Sequence, residues 1–580
     1  MKKTILSLLL LFQLTLSFAQ VKPLLFTIKA TITAEDTGKA LSFATVFNKR
    51  LFTGTASNLA GYFELPNNRI GDTIVVAYLG YEDKIVVVSK NTPSELQLSP
   101  RSALLDEVVV IAKSDYLYDI VAKVRKNKRT KARVAKTYFF LETQIAEETV
   151  ELIESYYNGE YSDLGIDELN IKKGRIGLKP MNKRYFRSTE SSTLFSKHDL
   201  FAKTKLFPKS PLSIKKKALK KAYRLKLSHT FLEDQAKIYV IDFVPKKETR
   251  DLFSGSIWID QTNNRLIKIK LEIEDADVHP FIPIGFNTIE AVDMEVTKSF
   301  ETIENDQYIN TIDFNYKVSY ADKWGNRIKA STKAFTKAYD YQAEFKLPNF
   351  EFSKHLHEDY RNITVAPYDS VFWNRTAEFR FYDRLQEIED FILQHKIESS
   401  VMYSAHQKDS LFSRLQFPYI SWDKDRFKMT QASANVIEKS KRTRAFATDR
   451  FNFSVKLYLD VNRVQDGLIY QIQAILDPIK TYYHFYLTNT DRAFMNMYFD
   501  LMEIEKRKFI STLSLTPNPS EAFIEKLYQQ HLAAFEASGK RFIEETNRGK
   551  NLEKMEGWND YILNSLGINN IEEFKITVDE

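Results

Sequence analysis

The stretch "KIYVIDFVPKKETRDLFSGSIWIDQTNNRLIKIKLEIE", residues 237–274, decides the fold. Three runs rich in β-branched and aromatic residues are separated by two polar breaks. In the first run, Ile238, Val240, Asp242 and Val244 share one face of a strand, and Tyr239, Ile241 and Phe243 the other. "SGSIWID" and "RLIKIKLEIE" are two further strands, with Thr262, Asn263 and Asn264 as the turn between them. The same texture continues, so strands are expected at 288–302, 307–321 and 327–346. Long consecutive strands joined by turns predict one large curved antiparallel sheet.

This pattern resembles the lipoprotein-carrier-like half-barrel that follows a regulatory-like domain in large envelope proteins. The resemblance rests on the "GSIWID" strand, its turn and its return strand. It implies a concave face that could shelter an acyl chain or a hydrophobic peptide. The alternative is a sheet filled by its own helix. Upstream, residues 115 to about 135 read as a basic helix, and strand-rich sequence begins at Lys136.

Residues 26–112 read as short strands broken by turn signals every 8–12 residues, the texture of a small β-sandwich. This stretch resembles the carboxypeptidase-regulatory-like (transthyretin-like) domain of exported bacterial proteins. The residues that carry the resemblance are Thr37-Gly38, Phe43 to Val46, Gly54-Thr55, Gly61 to Phe63, Asp72-Thr73, Leu79 to Tyr81 and the closing "LLDEVVVIAK" from Leu104 to Lys113. The resemblance implies a seven-stranded sandwich with no catalytic residues, acting as a structural or docking module.

Toward the C-terminus, residues 376–396 form a connecting helix by their apolar spacing. Phe451, Phe453, Val455 and Leu457 alternate ahead of an Asp466-Gly467 turn, which predicts a hairpin. "FMNMYFDLMEIEKRKF", Phe494–Phe509, is an amphipathic helix with Thr490 or Asp491 as its cap. Asn518 to Glu521 reads as a capping box with Pro519 at the first helical position of the next helix.

The order of strands, helix and helical tail resembles a family of bacterial zinc-peptidase-like proteins with an H-E-Q-x-H-F-D helix. Phe499-Asp500, Glu503 and Arg507-Lys508 match that helix, and Glu545, Thr546, Gly549 and Trp558 match a later E-T-x-H-G segment and the tryptophan after it. The two histidines then fall on Phe494 and Tyr498, the catalytic glutamate on Met495, and the third ligand on Arg548. Histidines at i and i+4 can ligate zinc while the glutamate between them polarises a water. Phenylalanine cannot ligate and methionine cannot act as a base. The reading is a degenerate peptidase-like domain; the alternative is an ordinary core helix. Both imply no zinc, no catalytic residue and no peptidase activity.

Composition bounds the rest. At roughly 150 residues per domain, 580 residues suggest three or four domains. Lys2 and Lys3, the apolar run Ile5–Leu16 and the small residues Ser17 and Ala19 predict a signal peptide over 1–19. No later run is long and apolar enough to span a bilayer as a helix. The chain has no cysteine, so disulfides and thiolate sites are excluded. "HLHEDY" places His355, His357 and Asp359 on one face of a strand, a weak metal pattern without a distant ligand.

The net charge is +7, and it is concentrated. Lys203–Lys226 holds ten Lys or Arg and no acid, and Lys123–Lys136 holds eight and no acid. Lys215, Lys216, Lys217, Lys220 and Lys221 are the candidate contacts to an anionic surface. A solvated helix face or loop is the alternative. Nucleic acid is not expected, because no readout motif is present.

The combined expectation is a mainly β multidomain chain with an α+β C-terminal part. Its parts are 1–19 signal, 25–112 sandwich, 115–375 half-barrel-like sheet, 376–400 connecting helix, and 401–575 α+β zincin-like domain. The expected function is non-catalytic binding or scaffolding in the periplasm, at the outer-membrane periphery or on the cell surface of a bacterium, with no cofactor. An envelope protein or an anionic lipid or glycolipid surface is the expected partner. The alternatives are a lipid or lipoprotein carrier, and a hydrolase with an unrecognised site.

Overall fold

The computed structural model describes residues 25–101, 115–350, 362–375, 385–395, 419–426 and 451–576, apart from internal stretches of one to six residues. The signal-peptide region, the "LLDEVVVIAK" segment, His355 to Asp359, and residues 376–384 and 396–400 of the connecting segment lie outside them. The chain divides into two compact units.

The first unit holds β1 (Phe26–Ala34), β2 (Thr45–Asn48), β3 (Thr53–Ala56), β4 (Tyr62–Asn68), β5 (Thr73–Ala77), β6 (Lys84–Val87) and β7 (Glu95–Leu98). They form a three-stranded sheet, β4-β1-β7, and a four-stranded sheet, β3-β2-β5-β6. Alternate residues such as Ile32, Val46, Phe63, Val76 and Leu98 point into a shared core. At one end Asn48 donates to Asn68 and Asp72, and the Arg50 guanidinium holds the Asp72 carboxyl well below its usual range. The seven expected strands are present.

The second unit is built on ten strands. They are β8 (Arg133–Ile145), β9 (Glu148–Tyr161), β10 (Ile166–Leu178), β11 (Tyr223–Glu233), β12 (Ala236–Pro245), β13 (Ser254–Asp260), β14 (Arg265–Ile273), β15 (Thr288–Ile303), β16 (Asp306–Ala321) and β17 (Arg327–Tyr339). Their order, β10-β9-β8-β17-β16-β15-β14-β13-β12-β11, makes a large open antiparallel sheet. The strands of residues 237–274 fall as read, with Trp258 opposite Val240 and Lys268. Gly255 sits at φ +147, and a Cβ there would lie 1.9 Å from the Lys270 carbonyl oxygen, so this ladder position requires glycine. Two expectations are corrected. The basic helix α1 spans only Tyr116–Lys126, because Arg133 already begins β8, and the strand expected to 346 ends at Tyr339.

The topology accounts for one face of this sheet. β10 and β11 are consecutive in sequence yet lie at opposite edges. Nine strand spacings of about 4.8 Å make the sheet roughly 43 Å wide along its ladder. The connection 179–215 must therefore cross the whole sheet. It buries Phe186, Phe195, Leu200, Phe207, Leu212 and Ile214 in one core with Ile257, Ile269, Val296, Phe314 and Val318 from the strands. Phe195 stacks at 4.9 Å on Phe314 and meets Phe207 at 5.3 Å. Helix α1 adds Leu117, Ile120, Val121 and Val124. The apolar face is filled by the chain's own crossing segment and α1.

Within that core lies one ammonium group. Lys298 on β15 is fully buried, and its Nζ donates to the His198 carbonyl. Burial pulls its pKa down to about 7, with Asp199 acting in the opposite direction.

The remaining elements are α2 (Lys216–Ala222), α3 (Ser370–Arg375), α4 (Leu385–His395), the short strands β18 (Ile420–Ser421), β19 (Phe451–Asn452) and β22 (Tyr482–Tyr483), and the hairpin β20 (Val455–Val464) with β21 (Gly467–Leu476). Four helices close the chain: α5 (Asn489–Ser514), α6 (Glu521–Glu545), α7 (Leu552–Leu566) and α8 (Asn570–Glu573). The β18-β21-β20 sheet packs on α5, with Leu457, Leu459, Met497, Leu501 and Ile524 in a second core. The caps correct the expectation. Thr488, with Asp491 at the third helical position, forms the capping box of α5. Ser520 caps α6 by accepting from the Phe523 N–H, so Pro519 precedes the helix instead of opening it.

Candidate functional site

The sheet's second face is polar by alternation. Near the β12–β13 connection it forms a cleft of about 790 Å³, lined by Lys247, Glu248 and Thr249 from that connection and by Glu272, Glu295, Asn315, Lys317 and Lys333 from the strands. The register sets the charges in rows: Glu272 faces Glu295 across β14–β15, Glu295 faces Asn315, and Asn315 faces Lys333. Lys270 relieves the acid pair by reaching both Glu272 and Glu295, the latter at 3.2 Å. One row away, burial pushes the Asp313 carboxyl up to about 6, and the nearby Glu295 adds to the shift. Lys268 lies 5.2 Å over the Trp258 ring. Alternating acids, lysines and amides on a rigid strand platform can bind a polar, charged ligand by matched pairs. Among the described residues, no group of three or more His, Cys, Asp or Glu is placed to hold a metal ion.

Toward β10 the same polar face is closed by the hairpin β20–β21. Lys172 Nζ donates to Asp460 Oδ1 at 2.5 Å and to the Lys346 carbonyl, and Lys173 Nζ lies 2.9 Å from Asp460 Oδ2. Lys173 also donates to the Tyr458 hydroxyl and to Gln471 Oε1, both at 2.8 Å, and Asp369 stands 3.6 Å away. All four charged groups are buried, and two cations face two acids. Burial alone would raise Asp460, but the two ammonium groups outweigh it and keep the carboxyl below its ordinary range. Beside them Arg175 pairs with Glu154 at 2.6 Å and covers the Trp373 ring at 4.2 Å, while Tyr138 donates to Glu154. Buried charges survive only when paired and hydrogen-bonded. This is a joint that fixes the C-terminal part to the sheet.

The helix expected to be a former metal site packs as a core helix. Phe494 stacks on Phe542 of α6 at 4.9 Å, and Tyr498 lies against Phe535 at 5.2 Å and Phe542 at 6.5 Å. Met495 is buried. Arg548, however, is exposed on the α6–α7 turn, where Gly549 is the residue that approaches Phe494. The structure packs Phe494 and Tyr498 of α5 together against α6 and leaves the Arg548 side chain out of that core. The matched polar residues are framework. Asp500, fully buried, accepts from Trp422 Nε1 at 2.7 Å, Arg426 at 3.0 Å and Asn570 Nδ2 at 2.8 Å. Glu503 pairs with Arg507, and Trp558 donates to Glu545 at 2.8 Å.

The five basic candidates divide. Lys216 reaches Asp119 of α1, and Lys220 reaches Asp115 at 2.6 Å. Lys215, Lys217 and Lys221 are exposed.

Sequence reading missed Lys172, Lys173 and Asp369, and it left Asp460 unremarked inside a strand. Two signals were present. "IKKGR" sets two adjacent lysines into a strand, and "LYLDVN" sets one acid among apolar neighbours; the β-bulge between Ile171 and Lys173, which lets both lysines reach the same acid, had no such signal.

Comparison with known proteins adds the following. Residues 28–110 match the CarboxypepD_reg-like domain, and residues 195–339 match a family of unknown function, DUF5686. No curated protein matches the sequence. Among solved structures the chain is similar to a LolA superfamily protein from Nitrosomonas europaea, at 11% identity over 39% of this chain and 94% of that one, with a TM-score of 0.13. It is also similar to a chain in the MucA/MucB complex of Pseudomonas aeruginosa, at 7% identity over 39% of this chain and 94% of that one, with a TM-score of 0.14. At such scores these likenesses carry no argument.

Proposed function

We propose that this chain is a non-catalytic binding and scaffolding protein of the bacterial cell envelope, with the charged cleft on the large sheet as its contact surface. The observation that carries this reading is the division of labour between the sheet's faces. The crossing connection fills the apolar face, and the Lys172–Asp460 joint closes one end of the polar face. The charged cleft stays open. The CarboxypepD_reg-like match supports an envelope setting. The carrier alternative calls for an apolar space where Phe186, Phe195 and Phe207 already pack.

A photo-crosslinking residue at Asn315 or Lys333, with Glu553 on α7 as the control position, tests the reading in envelope extracts. Adducts are expected at the cleft positions, absent at 553, and lost when Glu295→Lys is added. Adducts that ignore Glu295→Lys, or none at either cleft position, would overturn the cleft assignment. Turnover of ester, peptide or glycoside substrates by the purified protein would overturn the non-catalytic reading.

A further inference from the structure

The two acid-free basic runs lie about eighty residues apart in sequence, and the fold places them side by side. Helices α1 and α2 pack together. Asp119 of α1 and Asp115 at its N-cap take Lys216 and Lys220 of α2, so these two lysines act as staples between the helices. The rest of the charge faces outward. On α1, Lys123 and Lys126 are exposed while Leu117, Ile120, Val121 and Val124 are buried. On α2, Lys217 and Lys221 are exposed with Lys215 at the cap, and Leu219 is buried. The crossing segment runs into α2 and adds exposed Lys203 and Lys205 beside Leu206, itself 45% exposed. Tyr223, just after α2, donates to the Lys209 carbonyl and ties this segment to the helix.

We infer that the outer surface of the α1–α2 layer docks on a bilayer that carries anionic phospholipid headgroups. This goes beyond the proposed cleft and stands on different residues. Charge complementarity selects the occupant: exposed lysines of α1, α2 and the crossing segment meet lipid phosphates. The exposed lysines come from separate segments, and Asp115 and Asp119 are already engaged with Lys220 and Lys216, as Asp251 is with Lys209. A leucine exposed among lysines is the arrangement that enters a headgroup layer, with the lysines resting on phosphates.

The test is co-sedimentation of the full chain with vesicles of phosphatidylcholine alone or with 30% phosphatidylglycerol. Binding is expected only with the anionic lipid and should fall steeply between about 50 and 500 mM salt. The triple change Lys215→Gln, Lys217→Gln and Lys221→Gln should weaken it roughly a hundredfold. Leu206→Asp should weaken it further, with the melting temperature unchanged in both. The Glu295→Lys cleft variant should bind vesicles like the parent, which separates failure here from failure of the cleft. Equal binding to neutral vesicles would overturn the inference. So would full binding by the triple variant, or tighter binding to a DNA duplex than to anionic vesicles at the same salt.

Discussion

Lys172 of β10 and Asp460 of β20 meet at 2.5 Å with side chains 1% and 0% exposed, 288 residues apart in sequence. Breaking such a pair leaves the surviving charge buried. Asp460→Ala leaves two lysines without their shared acid and should cost about 3–5 kcal/mol in denaturant unfolding. Replacing Lys172, Lys173, Asp460 and Asp369 together by Met, Met, Leu and Asn should recover most of that loss. A loss below about 1 kcal/mol in Asp460→Ala would show that the joint is hydrated.

Lys298 gives a pH signature. Its folded pKa, about 7, lies below the ordinary lysine value, so between about 7 and 10 the unfolded chain binds more protons. Its contribution to stability therefore rises with pH across that window and is least favourable below 7. Lys298→Met should be more stable than the parent by about 1–4 kcal/mol at pH 6, with the gap closing toward pH 10. Thermal melts at the two pH values decide it.

Asp313 predicts the opposite slope. Its carboxyl is raised to about 6, so between about 4 and 6 the folded state holds the proton more tightly. Stability from this group falls as pH rises through that window and is level above it. Asp313→Asn should match the parent near pH 4 and exceed it at pH 7. A parent–variant difference that does not change with pH would refute the assignment.

Gly539 of α6 faces Tyr498, and a Cβ at 539 would lie 2.9 Å from the tyrosine ring. Gly539→Ala should destabilise by about 1–3 kcal/mol despite its better helix propensity. Tyr498→Leu should relieve the clash, so the double mutant should be less destabilised than the sum of the single changes. Additive effects would mean that the helices separate without cost.

The strands of residues 237–274 were legible because alternation is a local property, and Val240, Ile257 and Ile269 needed no distant partner to declare themselves. The position of β8 beside β17 was not legible, since its register, with Phe140 opposite Phe335, is set by two strands far apart in sequence. The crossing connection escaped for the same reason. Nothing in "KTKLFPKSPLSI" says that β10 and β11 will lie at opposite edges. At α5 the motif residues were located, but a motif frame cannot show side-chain direction. Phe494 turned into the aromatic core, and Arg548 turned to solvent. The basic runs were visible, while the pairing of Lys216 and Lys220 with α1 depended on tertiary packing.

The long reach of the β10–β20 joint bears on the order in which the chain can fold. Contacts so distant in sequence carry a large loop-closure cost and form late. When the chain grows from its N-terminus, Lys172 and Lys173 exist long before Asp460 does. Until then the β10 edge keeps its ammonium groups in water, and the ten-stranded sheet retains one unsealed margin. The last third of the chain thus acts as the closing step of the first two.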